Sequence, residues 1–154
     1  MKILLVCMGN ICRSPMAEAV VRSMLDSNGL ASDTTVDSAG THDFNVSLPP
    51  DPRARVTALR RGYDMTGMRA RQVQAADFAD FDMILAMDRR NLAMLEAACP
   101  ALHRHKLALF LDYAAGSAGD EVPDPYGEPQ EGFERVLDLI EDAARGLIES
   151  LRRT

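Results

Sequence analysis

The chain has 154 residues, of which 47% are hydrophobic and 26% are charged, and its 17 basic and 23 acidic side chains give a net charge of −6. This length predicts a single domain over residues 1–154, and the proportions are those of a globular rather than a disordered protein. The acidic balance argues against nucleic acid and against anionic membranes as general partners, because both repel a negative surface. Any phosphate-binding site is therefore expected to be local.

The cysteines indicate a reducing compartment. Cys7, Cys12 and Cys99 are too few and too unevenly spaced for a disulfide framework. No Cys-x2-Cys pair and no helical histidine pair at ligand spacing is present, so we expect no metal and no cofactor. The apolar run 3–8 is too short for a membrane span and lacks the features of a secretory signal. We therefore expect a cytoplasmic protein without stable membrane insertion.

Short apolar runs alternate with amphipathic stretches, which is typical of a parallel sheet with crossover helices. In chain order, the sequence predicts a strand at Lys2–Cys7, a helix at 15–27, a strand at 34–38, a loop at 39–50, a helix at 52–61, a strand at 81–87, a helix at 89–98, a strand at 106–110, an irregular segment at 112–132 and a helix at 133–151. Ser14, Asp51 and Asp88 are expected to cap the first three helices. The expected fold is a small doubly wound α/β sandwich, which binds ligands at the carboxyl ends of its strands.

The segment 7–13, CMGNICR, lies between the first predicted strand and the first predicted helix. A loop at a helix N-terminus directs backbone N–H groups and the positive end of the helix dipole at one point, which suits an anion. The same dipoles favour a thiolate at Cys7, and the planar guanidinium of Arg13 can hold two phosphoryl oxygens. Gly9 permits a tight turn, and Asn10 tolerates left-handed backbone angles. Ser14 is placed to donate a further hydrogen bond.

A thiolate that attacks a phosphate ester needs an acid for the leaving oxygen and later a base for water. Asp124 is the candidate, because the prolines on either side of it stiffen its loop. Tyr126 lies two residues after Asp124, so its ring is expected to stack on an aromatic substrate. Taken alone, a cysteine at a strand end more often behaves as a buried apolar residue, and an Asp-Pro pair is more often an ordinary turn. The occurrence of both in one chain is what supports a catalytic role for each. Neither nucleotide-binding glycine motif is present.

Six segments together resemble the low-molecular-weight protein tyrosine phosphatase family, in order and across nearly the whole chain. They are CMGNICRSP at 7–15, DSAGT at 37–41, PPDPR at 49–53, ARQ at 70–72, AMD at 86–88 and DPY at 124–126. The resemblance implies a four-stranded parallel sheet flanked by helices, with a phosphate-binding loop after the first strand. It also implies that Cys7 is the nucleophile, Arg13 the phosphate clamp, and Asp124 the general acid and then base. The expected phosphate-binding residues are Met8, Gly9, Asn10, Ile11, Cys12 and Ser14.

The resemblance further implies a hydrogen-bond network of Asn10, Ser14 and Ser38 that shapes the loop. In the family, Cys12 can form a reversible disulfide with the nucleophile under oxidants, and the alternative is that it only packs under the loop. Many members place a histidine of that network where this chain has Met68, so weaker loop support is expected.

The rim of the site also departs from the family pattern. Many members have two consecutive tyrosines after Asp-Pro, whereas here Gly127 follows Tyr126. Phe44 is expected at the rim position often held by another aromatic residue, with loop anchoring as the alternative. Tyr126 and Phe44 are therefore the two predicted rim residues.

The predicted function is hydrolysis of phosphotyrosine in proteins, or of small aryl phosphates, through a phosphocysteine and without metal. Protein arginine phosphatases are an alternative, although they typically have threonine where this chain has Ile11. Thiol-dependent arsenate reductases relay a disulfide through two further cysteines, and only Cys99 lies outside the loop here. A phosphate-binding or phosphocysteine carrier module needs neither Arg13 nor Asp124. The sequence does not distinguish a monomer from a weak homodimer.

Overall fold

Four parallel strands form the sheet that carries the candidate loop. The computed structural model of the chain describes residues 1–116 and 120–153. The strands are β1 (Lys2–Cys7), β2 (Thr35–Gly40), β3 (Met83–Ala86) and β4 (Leu107–Leu109), in the order β2-β1-β3-β4. Every neighbouring pair is parallel. The predicted four-stranded parallel sheet is therefore confirmed.

Helices cover both faces of this sheet, as predicted. They are α1 (Arg13–Ser27), α2 (Pro52–Arg60), α3 (Ala75–Asp80), α4 (Arg89–Ala98) and α5 (Gln130–Arg152), with 3-10 turns at Ala101–Lys106 and Phe110–Tyr113. Successive β1 side chains alternate between two apolar layers, because side chains in a strand point to opposite faces. Ile3 and Leu5 pack with residues of α1 and α5, whereas Leu4 and Val6 pack with residues of α3 and α4. No helix in the described part of the chain is long and apolar enough to cross a membrane.

The predicted cap of the first helix is wrong. The helix begins at Arg13, so Ser14 is its second residue rather than its cap, and Met16 N donates to Cys12 O at 3.2 Å. The phosphate loop itself curls into the first helical turn, which leaves the Ser14 hydroxyl free for the site. The other two caps are confirmed, since Asp51 accepts from the backbone N–H of its helix and Asp88 does so from that of α4.

Other boundaries shift by a few residues. Helix α3 was not predicted, and α5 begins three residues before the predicted start. Strand β2 runs to Gly40, where a Cβ atom would lie 2.7 Å from the Met8 carbonyl oxygen. The absence of a side chain at Gly40 therefore lets β2 pass directly beside the phosphate loop. The predicted irregular segment 112–132 contains a 3-10 turn at its start and the first turn of α5 at its end, and its residues 117–119 lie outside the described residues.

Candidate active site

The predicted loop and the predicted acid face one cavity at the carboxyl end of β1. This active-site cavity has a volume of about 270 Å³. It is lined by Cys7, Met8, Gly9, Asn10, Ile11, Cys12, Arg13, Phe44, Asn45, Asp124 and Tyr126. Of the predicted site residues, only Ser14 and Ser38 are outside this lining, and both lie behind the loop. The cavity thus brings together a candidate nucleophile, a cation and an acid that are far apart in sequence.

Cys7 is held at the base of the cavity. The residue is 3% exposed, and it still lines the cavity. Asn10 N donates to Cys7 Sγ at 3.2 Å, and Ser14 Oγ lies 3.0 Å from the same sulfur. The sulfur also lies at the N-terminal end of α1, where it faces the positive end of the helix dipole.

The predicted support network is present behind the loop. Asn10 has a φ of 58°, and its side-chain Nδ2 donates to Ser14 Oγ at 2.8 Å and to Ser38 Oγ at 3.0 Å. The Asn10 Oδ1 atom accepts from Arg71 N at 3.0 Å. Because the Ser14 oxygen accepts from Asn10, its own proton is available to the Cys7 sulfur. Asn10 therefore fixes the loop and also directs the serine hydroxyl.

A glutamate that the sequence analysis missed extends this network. Ser38 Oγ donates to Glu18 Oε1 at 2.7 Å, and Glu18 is also paired with Arg22. Met68 is half-buried and packs against the apolar core. Asn10, Ser14 and Ser38 thus make their contacts without the histidine that many family members have. The available signal for Glu18 was its place on α1, one turn beyond Ser14.

Arg13 is buried and fixed in orientation. Its NH1 donates to Asp88 Oδ2 at 2.6 Å and to the Val122 carbonyl at 3.0 Å, and its NH2 lies 3.9 Å from Asp124 Oδ2. Burial lowers the pKa of Arg13, but the negative charge of Cys7 and the bond to Asp88 outweigh burial and raise it. The guanidinium thus stays charged and needs little reorganisation to hold phosphate.

Asp88 has a second role beyond its predicted cap. Its Oδ1 accepts from Asn91 N at 2.8 Å, as a cap does, while its Oδ2 binds Arg13. The signal in the sequence was an acidic residue at the end of a buried strand, beside the predicted phosphate loop. One carboxylate therefore begins a helix and orients the phosphate clamp.

Asp124 and the two aromatic residues form the mouth of the cavity. The Asp124 side chain is 42% exposed, and its Oδ1 accepts from Tyr126 N at 3.0 Å. Phe44 and Tyr126 are 69% and 68% exposed. Phe44 also stacks on His42, with ring centroids 4.9 Å apart, so its predicted rim position and the loop-anchoring alternative coexist. An aromatic leaving group that enters here passes both rings and reaches the acid.

A second arginine, missed by the sequence analysis, ties the phosphate loop to the acid loop. Asp51 N donates to the Ile11 carbonyl at 2.8 Å, and the Asp51 carboxylate binds the Arg53 guanidinium at 3.2 Å. Arg53 in turn donates to the Glu128 carbonyl at 3.2 Å and lies over the Tyr126 ring at 5.9 Å. The PPDPR segment thereby positions the loop that carries the acid.

We expect Arg53→Met to lower kcat about tenfold, because a small misplacement of the acid is costly in rate. The loss should be larger for poor leaving groups than for p-nitrophenyl phosphate, and inhibition by inorganic phosphate should not change. Arg55→Met is the matched control, since Arg55 is an exposed arginine on the same helix and outside the active-site cavity. Equal losses for all leaving groups would show that Arg53 supports only the fold.

Cys12 is a second buried thiol of the phosphate loop. It is 5% exposed, and burial together with the Asp51 charge raises its pKa to about 12. We therefore expect iodoacetamide at pH 8 to label Cys7 first and Cys12 only above about pH 11. Peptide mass mapping measures this order, with inorganic phosphate as a competitor that protects Cys7. Labelling of Cys12 at the same rate as Cys7 would contradict this expected order.

The three cysteines are free thiols in the structure, and the proposed redox role of Cys12 stays a prediction.

Comparison with known proteins agrees with the geometry of the loop. A family model described as low molecular weight phosphotyrosine protein phosphatase matches residues 2–154. The chain belongs to this family.

Named members of the low molecular weight phosphatase family match over nearly their whole length. A Synechocystis protein assigned to the family by its name is 47% identical over 152 residues, which cover 98% of this chain and 96% of that protein. The low molecular weight protein-tyrosine-phosphatase YfkJ of Bacillus subtilis is 38% identical over 151 residues, with 98% and 96% coverage. The crystal structure of a protein tyrosine phosphatase from Entamoeba histolytica, with Hepes in its active site, matches with a TM-score of 0.97 and 40% identity, covering 99% of this chain and 97% of that one. The family resemblance inferred from six sequence segments is therefore confirmed.

Proposed function

We propose that this chain hydrolyses phosphotyrosine in proteins, and small aryl phosphates, through a phosphocysteine at Cys7. One observation carries the proposal, which is that the cavity at the N-terminus of α1 holds Cys7, Arg13 and Asp124 together. The names of the relatives, which are tyrosine phosphatases, support the same reaction.

In the first step, the phosphate oxygens bind the N–H groups of the loop and the Arg13 guanidinium. The Cys7 thiolate attacks phosphorus, the P–S bond forms, and the bond between phosphorus and the phenolic oxygen breaks. Asp124 gives its proton to that oxygen, so tyrosine leaves as a neutral phenol. Loop dipoles and the guanidinium stabilise the charge that spreads over the transferring group.

In the second step, Asp124 acts as a carboxylate. It takes a proton from a water molecule, whose oxygen attacks phosphorus while the P–S bond breaks. Inorganic phosphate leaves and the thiolate is restored. The Ser14 hydroxyl, 3.0 Å from the sulfur, stabilises the thiolate as it departs.

The mouth of the cavity favours an aryl substrate. Phe44 and Tyr126 offer two exposed rings, and Ile11 supplies an aliphatic contact inside the lining. Such a mouth suits a flat phenyl ring, which stacks on aromatic side chains. The free cysteines also suit the reducing cytoplasm.

Rates on phosphotyrosine, phosphoserine and phosphoarginine peptides test the proposal, with arsenate reduction measured in parallel and a chelator present throughout. We expect phosphotyrosine to be hydrolysed fastest and arsenate not to be reduced. Faster release from phosphoarginine would replace the proposal by arginine phosphatase activity. Binding of phosphate without turnover would indicate a carrier.

A further inference from the structure

A second cavity adjoins the active-site cavity and has no role in the proposed chemistry. Its volume is about 490 Å³, larger than that of the active-site cavity. Met8, Arg13 and Asp124 line both cavities, so these three residues form the boundary between them. A peptide whose phosphate is bound in the Cys7 loop therefore has a second cavity next to its binding site.

Arg90 gives this second cavity an uncompensated positive charge. It is exposed, and it has no hydrogen-bond or ion-pair partner among the described residues. Its neighbour Arg89 is paired with Asp120, and Asp88 is neutralised by Arg13. Because Arg13 is paired with Asp88 and lies 3.9 Å from Asp124, Arg90 is the arginine of this lining that is available to a ligand.

Asn91, which also lines this cavity, keeps a buried side-chain oxygen without a hydrogen-bond partner. The residue is 3% exposed, and its Oδ1 is the one buried side-chain polar atom in residues 1–116 and 120–153 that has no hydrogen-bond partner. A buried carbonyl oxygen without a partner costs free energy, so such groups are rare in folded proteins. Its backbone N–H is already bound by Asp88, which fixes Asn91 at the start of α4.

The remaining wall is apolar and can accept the stem of a side chain. Met8 and Met94 are 38% and 44% exposed there, although methionine usually packs inside. An extended peptide advances about 3.3–3.6 Å per residue, so a residue next to phosphotyrosine lies within reach of an adjoining cavity.

We propose that this second cavity is a peptide subsite that takes an acidic side chain next to phosphotyrosine. The carboxylate of that side chain pairs with Arg90, and its methylene groups pack on Met8 and Met94. This inference rests on the proposed phosphatase function and adds a sequence preference to it.

The test compares kcat/KM for matched phosphotyrosine peptides. Each peptide carries Glu, Gln or Lys at the position directly before or directly after phosphotyrosine. For the unmodified enzyme we expect Glu to be favoured over Gln by about three- to fivefold at one position, mainly through KM, as for a partly exposed ion pair. Arg90→Gln should remove the preference, and Arg90→Glu should reverse it in favour of Lys. Arg89→Gln is the matched control and should keep it.

Hydrolysis of p-nitrophenyl phosphate, which has no peptide, should be the same in the unmodified enzyme and all three variants. If the unmodified enzyme shows no preference, or if Arg90→Gln retains it, the subsite is overturned while the phosphatase function stands. If no enzyme form hydrolyses p-nitrophenyl phosphate, the phosphatase function itself has failed.

Discussion

Replacing Cys7 with serine is expected to abolish turnover while phosphate binding persists. A serine hydroxyl remains protonated at neutral pH and is a poor nucleophile for phosphorus, so we expect kcat to fall by about 10⁴-fold or more. The loop N–H groups and Arg13 are untouched by this change, and Arg13 keeps its bonds to Asp88 and Val122. Steady-state rates on p-nitrophenyl phosphate and calorimetric titration with inorganic phosphate measure the two effects separately.

Cys99→Ser is the matched control for this variant. Cys99 is also buried, but it packs in the apolar layer on the other face of the sheet and does not line the active-site cavity. Its replacement should leave kcat nearly unchanged. Substantial turnover by Cys7→Ser would exclude Cys7 as the nucleophile. If Cys7→Ser does not fold and therefore does not bind phosphate, Cys7→Ala is measured in its place.

Replacing Asp124 with alanine is expected to give the second largest loss. Without the acid, the leaving oxygen departs as an anion, so the penalty grows as the leaving group becomes more basic. For phenyl phosphate and phosphotyrosine we expect kcat/KM to fall by about 10²- to 10⁴-fold, the usual range for a general acid. For p-nitrophenyl phosphate the fall should be smaller. A plot of log kcat/KM against leaving-group pKa for both enzyme forms measures the difference, because kcat/KM excludes the later water step, in which Asp124 acts as the base.

Asp120→Ala is the matched control, because Asp120 has a similarly exposed side chain, at 41%, and pairs with Arg89 outside the active-site cavity. Its plot should superimpose on that of the unmodified enzyme. An unchanged slope for Asp124→Ala would remove the acid from the proposed mechanism.

The pattern of short strands and amphipathic helices was sufficient to predict the sheet. Strands buried on both faces are continuous apolar runs, and β1 shows this directly at Ile3–Val6. Helix α3 was missed because it has six residues, too few for a clear helical period. Its N-terminus is instead fixed by Asp77, whose side chain accepts from Gln74 N at 2.8 Å.

The loop chemistry was predictable because its residues are neighbours in sequence, so spacing and residue type determine what they can form. The partners that fix Arg13 and the acid loop were not, because Asp88 and Arg53 reach the site only through the folded chain. Asp88 is 75 residues from Arg13, and Glu128 is 75 residues from Arg53. For Ser14 the residue type itself was misleading. Serine favours helix caps, but here its hydroxyl lies against the Cys7 sulfur.

The most direct test of the mechanism is to trap the intermediate. The enzyme is mixed with excess phosphotyrosine peptide, denatured within milliseconds, digested, and examined by mass spectrometry under conditions that preserve phosphothiol bonds. The predicted result is a phosphoryl group on Cys7 alone, absent from Cys7→Ser. With p-nitrophenyl phosphate as the substrate, this group should be more abundant in Asp124→Ala, because the phenol leaves readily and the water step is slowed. Full turnover with no phosphoryl group on Cys7 at any time point, or with the group on another residue, would contradict the account.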